Sequence, residues 1–247
     1  MRYFIELSYD GATYHGWQVQ PNAITVQQVL TDCFINCLRS EGIRITGCGR
    51  TDTGVHAEQF FAHFDIDAHI EVEKAKYNIN NMLPKDIAIK RIFPVEDNVH
   101  ARFNALSRTY NYHIHFSKNP FIREYSYRVN TKLDMEKMNE ACERLYSHTD
   151  FTSFSKLHTD TKTNDCKIMH AAWELSATGI VFNIKADRFL RNMVRAIVGT
   201  MLEIGSGKLA VTELDEILRS KNRSNAGRSV PGHGLFLSSI EYEEGIV

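Results

Sequence analysis

The sequence predicts an α+β fold with mainly antiparallel sheets. Strand-like and helix-like stretches are interspersed along the chain, and several strand-like runs follow one another across short turns. A doubly wound parallel sheet would instead need a long crossover between successive strands. The chain has 247 residues, 43% hydrophobic and 24% charged, enough to bury a core without disulfide or metal staples. That length fits one large domain or two smaller ones, and the order of elements divides into a half over 1–100 and a half over 101–247.

The first element is a strand over Tyr3–Tyr9, in which Tyr3, Ile5, Leu7 and Tyr9 share one face at period two. A polar, glycine-bearing loop follows, Asp10–Asn22. A helix starts at Thr25, with Val26, Val29, Leu30, Cys33, Phe34, Cys37 and Leu38 at i, i+3, i+4 spacing. Thr25 and Gln28 fit a capping box, and Gly42 is the expected end. Strands over Arg44–Cys48 and Gln59–Asp65 flank the segment GCGRTDTGVHA. A short helix near Val72–Asn81 and a strand near Ile87–Pro94 complete the first half.

The second half opens with a strand over Thr109–Phe116, with Tyr110, Tyr112, Ile114 and Phe116 on one face. A helix near Asp134–Tyr146 and strands near Ile168–Leu175 and Ile180–Lys185 come next. A long helix is expected after Asp187, with an apolar stripe of Phe189, Leu190, Met193, Val194, Ile197, Val198, Met201 and Leu202. A strand near Leu235–Tyr242 closes the chain. The halves echo one another in element order, without a repeat in the letters.

Lys and Arg total 29 against 30 Asp and Glu, a net charge of -1, which excludes a uniformly basic nucleic-acid coat but leaves room for a local basic cleft. No apolar run approaches the roughly 18 residues of a membrane span. Glu6, Ser8 and Asp10 interrupt the N-terminus too early for a secretory signal. The cysteines (Cys33, Cys37, Cys48, Cys142, Cys166) are odd in number and form no C-x-x-C, which reads as reduced thiols in the cytoplasm.

The densest chemical signal is Gly47-Cys48-Gly49-Arg50-Thr51-Asp52-Thr53-Gly54-Val55-His56-Ala57. Its glycines permit positive φ and close approach of a ligand around one carboxylate, Asp52, and one guanidinium, Arg50. The same letters fit a plain glycine-rich turn. Other motifs fail. His56-Ala57-Glu58 lacks the P-C-x-x-C of zinc deaminases. His113 and His115 share a strand face but have no third metal ligand, so they read as solvated. Gly205-Ser206-Gly207-Lys208 has Leu202 and Leu209 where a phosphate loop needs Gly and Ser or Thr.

Arg188, Arg191 and Arg195 fall at i, i+3, i+7, opposite the apolar stripe of the last long helix. This is either a solvated face or a cationic wall toward an anion or a carboxylate. Residues Ala101–Lys132 hold Arg102, Arg108, Lys118, Arg123, Arg128 and Lys132 against one acid, Glu124. Interleaved are Phe103, Tyr110, Tyr112, Phe116, Phe121, Tyr125 and Tyr127. Cations suit phosphates and aromatic faces suit unstacked bases, although at least half of these rings are expected in the core.

Several blocks in order resemble the TruA-type tRNA pseudouridine synthases across nearly the whole chain. They are Tyr9-Asp10-Gly11 with Gly16-Trp17-Gln18; Gly49-Arg50-Thr51-Asp52-x-Gly54-Val55-His56-Ala57; His100-Ala101-Arg102-Phe103 with Tyr110; Asp150-Phe151-Thr152-x-Phe154; Ala186-Asp187-x-Phe189-Leu190 with Met193-Val194-Arg195-x-Ile197-Val198-Gly199; and Pro231-x-x-Gly234-Leu235. Thr53 departs from the alanine many members carry.

The resemblance implies two ferredoxin-like (RRM-like) halves around a central cleft. It implies isomerisation of uridine to pseudouridine at positions 38, 39 and 40 of the tRNA anticodon stem-loop, with no metal and no organic cofactor, and a homodimer whose tRNA touches both subunits. It assigns Asp52 as the catalytic carboxylate, Arg195 as its ion-pair partner, Tyr110 as the contact to the target base and a proton donor or acceptor, and Arg50 as the cation beside the flipped nucleotide. Asp52 could attack uracil C6 or ribose C1', or remove the C2' proton. The rivals are an Asp52-dependent nucleoside hydrolase, for which a second carboxylate with a clear role is missing, and a non-catalytic RNA-binding protein that would not need Asp52.

Overall fold

A computed structural model describes residues 1–156 and 163–247. The chain is α+β, with mostly antiparallel strands, and forms two compact units, Met1–Leu106 with Leu237–Val247 and Ser107–Phe236. No helix among the described residues is long and apolar enough to cross a membrane.

In the first unit, β1 (Arg2–Tyr9) is antiparallel to both β3 (His56–Asp65) and β4 (Ile87–Val95). The strand order is β4-β1-β3-β9, where β9 is Leu235–Tyr242, and the two-residue β2 (Thr46–Gly47) pairs with β3. Phe4 and Glu6 are buried along with the expected Tyr3, Ile5, Leu7 and Tyr9, so both faces of β1 are covered. One-sided alternation therefore understated the burial of β1. Pairing over Arg44–Cys48 shrinks to Thr46–Gly47, and Ile43 and Ile45 bury without entering the ladder.

Helix α1 (Val26–Leu38) is capped by Thr25, whose Oγ1 accepts from the Gln28 N–H at 3.4 Å. Gln28 turns its own amide to Asp32 at 2.7 Å, so only half of the expected capping box forms. The helix ends four residues before Gly42, because Arg39 takes the left-handed conformation at φ 52° and its N–H closes on the Ile35 carbonyl. Helix α2 (Val72–Met82) lies beside α1, with the Cys33 thiol donating to the Ile79 carbonyl. Tyr3, Phe34, Phe60 and Phe64 fill the core between helices and sheet; Phe34 meets Phe64 edge-on at 5.1 Å.

In the second unit the order is β5-β8-β7, with β5 (Ala105–His115), β7 (Ile168–Leu175) and β8 (Gly179–Ala186) antiparallel to their neighbours. A two-residue β6 (Tyr127–Arg128) adds parallel to β5. Helix α3 (Met135–Leu145) is capped by Asp134. Helix α4 spans Met193–Gly205 and is buried nearly all round. It starts later than expected. Asn192 sits at φ 67°, a left-handed residue that an α-helix cannot pass through, so Phe189, Leu190, Arg188 and Arg191 belong to the chain leading into α4. The expected three-arginine helical face therefore does not exist; Arg195 alone is helical. The Gly205–Lys208 stretch is the end of α4, where Gly207 takes φ +76°.

Helix α5 (Glu213–Ser220) had no counterpart in the sequence reading, although Leu214, Ile217 and Leu218 follow helical spacing and are buried. It is fastened to α3 by Asp215. The carboxylate bonds His148 Nε2 at 2.9 Å and Arg144 Nη1 at 2.5 Å. Those two hydrogen bonds outweigh burial and hold the carboxyl below its usual range. A depressed native pKa supplies stability above the unfolded value of about 4, and that stability is lost as pH falls through the native value. Asp215→Asn is expected to cost about 1–3 kcal/mol at pH 7. The cost should shrink in urea melts as pH is lowered below about 4, as the stabilisation is lost.

Candidate active site

The segment around Asp52 is built by two stretches far apart in sequence. After β1 the chain folds back as 10–24 and lies against 47–57. The Trp17 N–H donates to the Thr51 carbonyl at 3.2 Å, and the Gly54 N–H donates to the Tyr14 carbonyl at 3.2 Å. Below them the Tyr9 and Thr51 hydroxyls share a buried hydrogen bond of 2.8 Å. His56, at the start of β3, accepts from the Gly11 N–H on Nδ1 at 3.1 Å, with Asp10 Oδ1 3.0 Å from the same nitrogen.

Two glycines make this approach possible. A Cβ on Gly11 would fall 2.0 Å from the Val55 carbonyl oxygen, and one on Gly16, where φ is +87°, would fall 2.3 Å from that of Thr51. Within the 47–57 segment the glycines are not equivalent. Gly54 takes φ +74° in the turn closed by the Val55 N–H on the Asp52 carbonyl. Gly47 lies under the Trp17 indole, and Gly49 has open space where a Cβ would be. The expected general relaxation of the backbone is in fact one turn and one close approach.

The outcome is a fixed presentation. Thr51 is buried and pins the segment, Asp52 is half-buried, and Arg50 and Thr53 are exposed. Behind the 10–17 stretch, Tyr14 donates to Asp86 Oδ1 at 2.7 Å. Burial, then the Asp86 carboxylate, push the Tyr14 phenol well above its ordinary value, so the hydroxyl stays a donor. Sequence reasoning gave Tyr14 and Asp86 no part. The polar loop after β1 was the available signal, but nothing in it pointed to residue 86.

Tyr110 and Arg195 belong to the second unit. Tyr110 lies opposite Ile184 on β5, half-exposed, and meets Phe189 edge-on at 5.2 Å. Its expected face-mates diverge: Tyr112 and Ile114 are buried, and Phe116 is exposed. Arg195, the third residue of α4, is half-buried and donates from Nε to the Val230 carbonyl at 2.7 Å. The next carbonyl, Pro231, accepts from the Tyr112 hydroxyl at 2.9 Å. The Val230-Pro231 backbone thus steadies both side chains.

Two sequence readings are corrected. His115 is buried with Nδ1 3.0 Å from Ser126 Oγ, and His113 meets Phe236 edge-on at 5.1 Å, so neither is a solvated histidine. Of the seven aromatic rings between residues 101 and 132, only Tyr112 is buried; Phe103, Phe116, Phe121 and Tyr125 are exposed. The core is supplied by other rings.

An α+β chain that fixes one half-buried carboxylate on an interlocked, glycine-dependent loop is built like an enzyme. Comparison with known proteins agrees. A family model described as tRNA pseudouridine synthase matches residues 141–243. The chain is 51% identical over 247 residues to tRNA pseudouridine synthase A of Bacteroides fragilis, covering 99% of this chain and 98% of that one. It is 50% identical over 244 residues to the protein of that name from Parabacteroides distasonis (98% and 96% covered), and 39% over 246 residues to that of Bacillus subtilis (98% and 100%). The chain belongs to the tRNA pseudouridine synthase family.

Gly16→Ala is expected to destabilise the protein by about 2 kcal/mol or more, from positive φ and the clash with Thr51. Gly49→Ala, with nothing in the way, should leave the melting temperature within a degree or two of wild type. A mild Gly16→Ala would show that the two stretches are not interlocked.

Proposed function

We propose that this protein isomerises uridine to pseudouridine in the anticodon stem-loop of tRNA, at positions 38–40, with Asp52 as the catalytic carboxylate. The observation that carries this reading is the fixed presentation of Asp52, in a chain whose family is defined by tRNA pseudouridine synthesis. In the reaction the C1'–N1 bond breaks, the uracil turns, and C5 joins C1'; the proton leaves C5 and N1 gains one, so composition is unchanged. An enzyme for this must hold a detached base and keep water from C1'. Asp52 initiates by adding to carbon, at uracil C6 or ribose C1', or by taking the C2' proton.

In this reading Arg195 is the ion-pair partner of Asp52. Its Nε bond to Val230 fixes the orientation of the guanidinium fork. Tyr110, half-exposed on β5, contacts the target base and carries a proton. Exposed Arg50 fills the space left by base extrusion, which costs a few kcal/mol. The lysines and arginines of 107–132 take phosphates.

The two compact units are read as ferredoxin-like halves. Support comes from the first unit, where β1-α1-β2-β3-α2-β4 with β4 and β3 flanking β1 and β2 beside β3 is the split βαβ arrangement. The second unit repeats strand, helix, two strands, helix. Homodimerisation and a cytoplasmic location complete the reading; five cysteines outside any disulfide suit a reducing compartment.

Asp52→Asn is expected to bind tRNA with near wild-type affinity while tritium release from [5-3H]uridine-labelled tRNA falls about a thousand-fold or more. Substantial residual turnover would refute the role, and free uracil as product would mean hydrolysis. Arg195→Leu should lower kcat far more than tRNA affinity; equal losses would make Arg195 a phosphate contact. The logarithm of tRNA affinity should fall against log salt by about 0.7–0.9 per phosphate contact, and a flat response would argue against a basic RNA surface.

A further inference from the structure

The turn at Ala101–Asn104 in the first unit has no role in the mechanism above, yet it is built with care. Ala101 is fully buried, its N–H donating to His63 Nδ1 at 3.2 Å and its carbonyl accepting from the Tyr242 hydroxyl at 2.6 Å. Burial pushes the His63 imidazole down to about 4, so near neutral pH it stays uncharged and able to accept. His100 Nδ1 accepts from the Arg102 N–H at 3.0 Å, and Asn104 Oδ1 accepts from the His100 N–H at 2.8 Å. The imidazole of His100 supports the ring of Phe103, with centroids 4.3 Å apart.

What this turn displays is apolar and cationic together. Phe103 is 76% exposed, and the exposed Arg102 places its guanidinium carbon 5.8 Å from the ring centroid. A lone exposed ring needs no explanation. Here the ring stands on a turn whose backbone is held by buried side chains, with a cation alongside. The ring is thus held close to a charge on a turn whose backbone is already ordered, which lowers the ordering cost on binding. Every nucleobase has a π-face that such a ring can stack on, and every nucleotide carries a phosphate that a guanidinium can take.

We propose that Phe103 and Arg102 form a platform for an unpaired nucleotide of the tRNA, the ring stacking on its base and the guanidinium taking its phosphate. The contact positions the RNA and does not read base identity. It rests on the tRNA reading above and adds a binding residue pair to it.

The test uses the full chain, a tRNA transcript tritiated at uracil C5, and the variants Phe103→Ala, Phe103→Trp and Arg102→Gln. Phe103→Ala is expected to raise KM and the tRNA Kd about ten-fold, with kcat within two-fold of wild type. Phe103→Trp should restore both and add an indole emission change on tRNA binding beyond that of wild type, whose Trp17 and Trp173 are buried. Arg102→Gln should reduce the salt slope by about one phosphate contact, near 0.7. An unchanged KM and Kd in Phe103→Ala overturns the platform while leaving the isomerase standing. A wild type that binds tRNA but makes no pseudouridine overturns the isomerase, and the Kd and emission data still decide the platform. A Phe103→Ala protein that sediments as a smaller species than wild type assigns the patch to contact between copies and overturns the proposal.

Discussion

The carbonyl oxygens of Thr51 and Val55 occupy the places where Cβ atoms would fall if residues 16 and 11 were anything but glycine. Much of the first unit follows from this interlock. Backbone bonds from Trp17 and Gly54 close it, and the Tyr9–Thr51 hydroxyl pair is buried beneath it. A short loop bearing one acid would otherwise be free to fray. Clamped from the side by the chain that links β1 to α1, it is held in one conformation. Pre-organisation of this kind means that geometry need not be assembled during binding.

The second unit uses a different device. Helix α4 is apolar on nearly every side, so it is fixed by burial, and the Val230-Pro231 segment beside it accepts from both Arg195 and Tyr112. A long cationic side chain loses much rotamer entropy when it is held. The hydrogen bond from Nε to the Val230 carbonyl removes part of that freedom. The rigidity of both units is thus spent on a few polar side chains.

Most elements were legible because their periodicity is strong. Period-two alternation located β1 and β5, helical spacing located α1, and β4, β7, β8, β9, α2 and α3 lie close to the spans expected for them. The misses share a cause, which is that local letters do not report tertiary override. Asn192 and Arg39 are left-handed because the chain must turn there, and a stripe of apolar letters continues past the first and ends near the second without marking either. Helix α5 was too short for its three apolar residues to stand out. Burial of His115 came from its partner Ser126, eleven residues away in sequence.

By itself the sequence determined the fold class and the order of nearly all elements, because apolar period is a local property, and it singled out the Arg50–Ala57 block as the candidate for chemistry. Only the tertiary structure decided that Gly11 and Gly16 lie against the Asp52 loop, that the last strand returns to the first unit, that Arg188 and Arg191 leave the helix, and that Phe103 stands exposed on a fastened turn. Each of these depends on residues tens to hundreds of positions apart meeting in space, and steric fit and hydrogen bonding at such distances leave no periodic trace along the chain.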